Sequence, residues 1–277
     1  MDLDELLAQT RAMDAEWSIS IRREKDLAAF IEHCPGKLLH TASVAKVFVL
    51  MELADRLATN AIDAEQLIDR RETQTVLDSG IWHAMKVDSL PVIDLAVLVG
   101  ALSDNWATNA LIDVCGLDRI QALAAAAAPG GSMLHDYVRD DRSGDVPKTL
   151  STGCAQDWAT IMQRLYYADG IDVAVRRHVL AWLAQDTDLS MVAAAFDLDP
   201  LAHDTEDPGL HLWHKTGTDL GVRADVGVIG STSTVVSYAV VCNWPPTDTR
   251  PHTRRAIQST MRRIGDEVRS GITGASA

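Results

Sequence analysis

The sequence has no stretch of eighteen uninterrupted apolar residues. Val92 to Leu102 comes nearest and is broken by Asp94, so no membrane-spanning helix is expected. Basic residues are scarce: 25 Lys and Arg stand against 39 Asp and Glu, a formal net charge of -14. That deficit argues against a nucleic-acid or anionic-membrane binder, which needs a basic face. The four cysteines, Cys34, Cys115, Cys154 and Cys242, form no C-x-x-C, which argues against a zinc ribbon or a thioredoxin-like site. They read as reduced, buried, small hydrophobes. There are no internal repeats and no low-complexity linker. The first residues, MDLDELLAQTRAMDAEW, begin acidic, with no basic n-region, long apolar core or small-residue cleavage site. The expectation is a cytoplasmic chain, or an exported one whose leader has been removed. What is abundant is apolar material, 47% of 277 residues, enough to pack one large domain or two intimate ones.

Hydrophobic spacing divides the chain into blocks. Leu3 to Met13 carries helical periodicity. Glu16 to Arg23 alternates, with Trp17, Ile19 and Ile21 on one face, and predicts a strand; Leu27 to Glu32 is a candidate second arm of a hairpin. The run SVAKVFVLMELADRL is apolar on nearly every helical face, as a buried helix is. Helices are then expected over Pro91 to Leu102, Trp106 to Val114, Ile120 to Ala128, Cys154 to Tyr167 and Asp172 to Leu183. Strands follow over Leu210 to Lys215, Arg223 to Gly230 and Val235 to Asn243, and an arginine-rich amphipathic helix over Pro251 to Val268. This order predicts an α/β (α+β) fold. Residues 1–50 and 205–277 build an antiparallel sheet flanked by terminal helices, and residues 51–204 form an all-helical insertion. The site is expected in the groove between the two parts.

Three short motifs occur in order: Ser43-Val44-Ala45-Lys46, Ser103-Asp104-Asn105 and Lys215-Thr216-Gly217. Each alone is weak: S-x-x-K is common on helices, S-D-N is good capping sequence, and K-T-G suits a strand end. Their contexts agree with chemistry. The first opens a buried helix, the second lies between two helices, and the third ends a strand followed by a glycine turn. Ser43 and Lys46 share a helix face. A serine hydroxyl needs an adjacent base, and Lys46 is the only basic side chain in its apolar run. Burial and a second cation, for which Lys215 is the candidate, lower a lysine pKa and let its amine accept the Ser43 proton.

The trio, in this order, resembles the class A β-lactamase-like serine hydrolases of the β-lactamase/penicillin-binding protein superfamily. The 60 residues from Ser43 to Ser103, the text SDNWATNALID and the segment HKTGTDLGVRADVGVI extend the resemblance over nearly the whole chain. It implies the β-lactamase/transpeptidase-like fold and an acyl-enzyme on Ser43. By the same resemblance Lys46 is base or proton shuttle, and Ser103 relays a proton between the lysines and the leaving nitrogen. The backbone N–H groups of Ser43 and Thr218 form the oxyanion hole, each donor worth ~3 kcal/mol. Asn105 holds the substrate amide; Lys215, Thr216, Gly217 and Thr218 bind a substrate carboxylate. Arg223 adds a second cation there, or is a strand-edge surface arginine. The implied substrate is a small molecule, with no cofactor, metal, nucleic acid or membrane partner, on a monomer or weak homodimer.

Two features depart from the family. Its deacylating glutamate sits on a loop with an E-x-x-L-N pattern, whereas Leu134 to Thr152 here contains no glutamate. That segment offers Asp136, Asp140, Asp141 and Asp145; Asp140, Asp141 and Asp145 are the candidate deacylation bases, or the segment is a solvated acidic loop. The positions that carry a disulfide in many class A enzymes hold Leu50 and Ala96, which fits a reducing compartment. The alternatives are a carboxypeptidase, esterase or amidase on the same fold, and a slowly deacylating sensor. Outside the motifs, His203, His211 and His214 lie near the third one. His211 and His214 point to opposite strand faces, a poor metal pair, and read as surface or groove-lining residues. The seven tryptophans read as core, with Trp82 and Trp106 as candidates to line the groove.

Overall fold

A computed structural model describes residues 3–23, 29–202, 209–231 and 234–273. The chain opens with a short helix, α1 (Leu3–Ala8), and a separate 3-10 turn at Arg11–Met13, where one longer helix is expected from periodicity. Strands β1 (Glu16–Arg23) and β2 (Ile31–His33) pair antiparallel; of the expected second arm, residues 27 and 28 lie outside the described residues. After β3 (Leu39–His40) a 3-10 turn, Ala42–Ala45, leads into α2 (Lys46–Ala58). A two-stranded ribbon, β4 (Leu67–Asp69) with β5 (Ser89–Pro91), precedes α3 (Val92–Leu102), α4 (Asn105–Cys115) and α5 (Leu117–Ala127). Strands β6 (Met133–Leu134) and β7 (Ser151–Gly153) join β3, and α6 (Ala155–Tyr167) and α7 (Val173–Leu183) complete the insertion. The insertion is therefore helical with two small sheets added. Strands β8 (His211–Asp219), β9 (Val222–Gly230) and β10 (Val235–Asn243) and helix α8 (Pro251–Thr273) close the chain.

The main sheet has the order β2-β1-β10-β9-β8, with β10 at its centre and β8 at its edge. Both faces are covered. Val235, Ala239 and Val241 join the core shared with the helical insertion, while Val236, Tyr238 and Val240 join the core under α8. Central strand β10 is accordingly almost continuously apolar rather than alternating. Helix α8 buries Ile257, Met261, Ile264, Val268 and Ile272, one stripe at i, i+3/i+4 spacing, and leaves its arginines to solvent. Helix α2 is buried from Lys46 to Ala54 because α4, α5 and α7 surround it. Cys115, Cys154 and Cys242 are buried thiols, but Cys34 is exposed, since it turns at a left-handed φ of 43° outside the sheet. Among the described residues no helix is long and apolar enough to cross a membrane.

Candidate active site

A cleft of about 850 Å³ is lined by residues of all three motifs, Ser43, Ser103, Asn105 and Thr216, and by Thr218. Ser43 does not open the α-helix itself. It sits in the 3-10 turn ahead of α2, after Ala42, whose φ of 47° is left-handed. A non-glycine residue held there costs of order 1 kcal/mol. Hydrogen bonds from the opposite strand hold it: Ser151 Oγ donates to Ala42 O at 2.7 Å, and Thr41 Oγ1 lies 2.8 Å from Ser151 Oγ.

The second motif is both cap and cradle. Asp104 Oδ1 accepts from Ala107 N at 2.9 Å and starts α4, while Oδ2 accepts from Ile81 N and Trp82 N at 2.7 and 2.8 Å. Gly80 permits this, since a Cβ there would lie 2.2 Å from Asp104 Oδ2. Ser103, left-handed at φ 54°, ends α3 and turns toward Lys46. Lys46 Nζ donates to Ser103 O at 2.6 Å, Ser103 Oγ at 3.2 Å and Asn105 Oδ1 at 2.6 Å. All three acceptors are neutral. The amine is fully buried, and burial first, then the Lys215 charge, hold its pKa well below the usual lysine value.

The third motif lies inside β8 rather than at its end, because the strand continues to Asp219 before the Leu220-Gly221 turn. Gly217 is pressed against the Ser43 turn: a Cβ there would stand 2.1 Å from Thr41 O and 3.2 Å from Ser43 N. Among the described residues β8 is an edge strand, so its outward N–H groups point away from the sheet. Thr216 N donates outward to Asp186 Oδ2 at 3.1 Å, so Thr218 N, two residues on, leaves by the same edge toward the cleft.

Asp186 is the group that motif reasoning missed. It follows α7 in a turn tied to the end of α3, with Thr187 N donating to Ala101 O at 3.0 Å. Its buried Oδ2 accepts from Lys215 Nζ at 3.2 Å, and Lys215 also donates to Thr216 O at 3.2 Å. Burial pushes the Asp186 carboxyl up, but the charges of Lys215 and His214 win and hold it below the usual aspartate value.

The remaining candidates divide. Asp140 lines the cleft and its carboxylate accepts from Leu77 N at 3.3 Å. Asp141 is turned to Ser143, and both it and Asp145 are exposed away from the cleft wall. Asp136 is buried against Arg139 and Arg142; burial raises its carboxyl, but the Arg139 bonds prevail and keep it below the usual value. Val138 faces the cleft, fixed by Asn109, which accepts from Val138 N at 2.8 Å and donates to Val138 O at 2.9 Å. Arg223 is not part of the cleft lining: it donates to Val222 O at 2.7 Å and lies 5.7 Å over the Trp244 ring. His214 is neither on the surface nor in the groove but fully buried; His211 is exposed beside Trp213, and His203 lies outside the described residues. Trp82 is core, and Trp106 donates to Thr73 Oγ1 at 2.9 Å, so neither lines the groove. Among the described residues no cluster of His, Cys, Asp and Glu has metal-holding geometry.

Residues 2–271 match the model of the Beta-lactamase enzyme family, Beta-lactamase2. The chain belongs to that family. It is a beta-lactamase-like serine hydrolase. Solved structures of similar fold include the beta-lactamase from Sphaerobacter thermophilus, at 20% identity and TM-score 0.78 over 96% of each chain. A class A beta-lactamase from Mycobacterium abscessus is 21% identical, with TM-score 0.73 over 95% of this chain and 98% of that one. A variant of PBP-A in an acyl-enzyme complex with penicillin G is 18% identical, with TM-score 0.75 over 97% and 96%. No curated protein sequence matches the chain. Family membership fits a cleft lined by Ser43, Ser103, Asn105 and Thr216, with Lys46 buried behind Ser103 and Asn105 and Lys215 buried beside Thr216 and Asp186.

Proposed function

We propose that the protein cleaves a β-lactam, or a related carboxylate-bearing amide, through an ester on Ser43. The observation that carries this is the Lys46 amine, fully buried among neutral acceptors and beside a second cation. Such an amine accepts the Ser43 proton as Oγ attacks the carbonyl carbon. The N–H groups of Ser43 and Thr218 hold the oxyanion, and the scissile C–N bond breaks as the proton passes through Ser103 Oγ to the leaving nitrogen. Asn105 holds the substrate amide. Lys215, Thr216 and Thr218 hold the carboxylate, Gly217 lets the Ser43 turn pack against β8, and Arg223, paired across the sheet with Thr218, lies outside the cleft. Water then hydrolyses the ester. PBP-A, of similar fold, is known with penicillin G as an acyl-enzyme in variant form, which supports the first half of this cycle.

A second reading, a long-lived adduct, is favoured by one observation: the loop wall presents Val138 and Asp140 and no glutamate. Incubation with a chromogenic cephalosporin and a fluorescent penicillin, followed by intact mass, separates the two. Turnover without a persistent mass increase supports hydrolysis, and a stable adduct supports the sensor. No adduct, with cleavage of p-nitrophenyl esters, supports an esterase. Ser43→Ala abolishes covalent labelling, and labelling that persists in that variant rejects Ser43 as nucleophile.

A further inference from the structure

Strand β8 carries a second buried ionisable group beside the cleft. Lys215 and Trp213 belong to the face toward the helical insertion, while His214 and Leu212 belong to the face toward α8. His214 Nδ1 lies 3.1 Å from Asp225 Oδ1 on β9, and both side chains are fully buried. Tyr238 of β10 donates its hydroxyl to the same Oδ1 at 3.1 Å, and Ala193 N donates to Oδ2 at 3.2 Å. Gly227, opposite both His214 and Tyr238 in the sheet, makes this possible: a Cβ there would lie 2.7 Å from His214 Cβ and from Tyr238 OH. The ring's Nε2 is buried and has no hydrogen-bond partner among the described residues.

This network adjoins the cleft at Asp186. Asp186 takes the N–H of Thr216, which is two residues from His214 on the same strand face. The polar and charged groups on the ring's side are Asp225 from β9, Tyr238 from β10 and, across Thr216, Asp186 from the segment after α7, while its chain neighbour Lys215 points to the other face of β8. Of these buried groups only Lys215 has a part in the mechanism above.

We propose that His214 is a positioning residue for carboxylate binding: held by Asp225 and separated from Asp186 by Thr216, it sets how much of the Lys215 charge is left for a substrate carboxylate. This rests on the reading that Lys215 binds that carboxylate. Burial works against the ring's proton, but Asp225 and Asp186 outweigh it and raise its pKa above the usual 6.5. Below that raised value the imidazolium shares the Asp186 charge. Above it the ring is neutral, Asp186 bears on Lys215 alone, and carboxylate binding weakens.

The test is stopped-flow acylation of the full chain by a fluorescent penicillin and by its methyl ester across pH. It separates the dissociation constant of the initial complex from the acylation rate constant. For the free carboxylate, the dissociation constant of the wild-type protein rises roughly tenfold through an inflection above pH 6.5. The methyl ester shows no such inflection. His214→Asn shows the weak, high-pH constant throughout and no inflection, with a similar acylation rate constant. Should that variant fail to fold, Tyr238→Phe moves the inflection to higher pH, because Asp225 then gives its whole charge to the ring. An inflection that survives in His214→Asn, or one that Tyr238→Phe leaves in place, overturns the proposal while Ser43 labelling still stands. A wild-type protein that shows neither turnover nor an adduct on Ser43 overturns the proposal and the functional reading together.

Discussion

On the helical wall of the cleft Lys46 meets two serine oxygens and an asparagine oxygen; on the sheet wall Lys215 meets the Asp186 carboxylate. Both amines are fully buried. A buried lysine whose contacts are all neutral oxygens is driven toward the neutral amine, a base, whereas a carboxylate in contact supplies a lysine with a counter-charge. The two walls therefore divide proton transfer from charge recognition, although the side chains are chemically identical.

The largest effect breaks the helical half of the comparison. Lys46→Ala removes the general base and slows acylation of Ser43 by about 10²–10⁴-fold. Unchanged acylation in stopped-flow measurements would exclude Lys46 from the proton transfer. On the sheet wall the first consequence is instability. Lys215→Ala leaves Asp186 as a buried charge with no cation in contact, at a cost of roughly 3–5 kcal/mol. The paired replacement Lys215→Met with Asp186→Leu recovers most of that in urea unfolding while carboxylate binding stays lost. The sign in pH follows from the depressed Asp186 carboxyl: its contribution is present above the ordinary aspartate value of 3.8 and is lost as pH falls through the lower folded value. A paired variant no more stable than Lys215→Ala would show that the charge pair is not the source of the loss.

The same division explains what was legible in the sequence. Ser43, Lys46, Ser103, Asn105 and Lys215 are carried by motifs at fixed offsets, and the long helices and the strands from β8 to β10 follow from 3.6- and 2-residue periods. Asp186 was not legible. It is one aspartate among many in a turn, and its role comes from Thr187 bonding back to Ala101, far away in sequence. His214 misled for a related reason: a polar residue next to a motif reads as groove-lining until its partner Asp225 is known to lie across the sheet. The Ala42–Ala45 turn read as α-helix because hydrophobic spacing does not distinguish a 3-10 entry. Arg223 sits near the motif in sequence, yet β9 directs it toward Trp244.

A smaller change sharpens the comparison by making the helical wall resemble the sheet wall. Asn105→Asp puts a carboxylate where Lys46 now finds a neutral oxygen at 2.6 Å. The new charge raises the Lys46 pKa, so at neutral pH more of the amine is protonated and acylation falls, by roughly tenfold if that pKa climbs by about one. Because the active form is the neutral amine, the loss is recovered as pH rises, and the acidic limb of the acylation profile moves to higher pH. A loss that is equal at all pH values would mean that Asn105 acts on substrate and not on the base.

The smallest expected effect concerns the cleft wall formed by the segment between β6 and β7. Asp140 lines the cleft and Asp141 does not, so Asp140→Asn lengthens the life of the Ser43 adduct while Asp141→Asn leaves it unchanged. The effect is no more than a few-fold, because the Asp140 carboxylate is exposed and already engaged by the Leu77 N–H. Adduct lifetime by intact mass over time reads it directly. Equal lifetimes in both variants would take the loop carboxylates out of deacylation and leave water to reach the ester unassisted from this side.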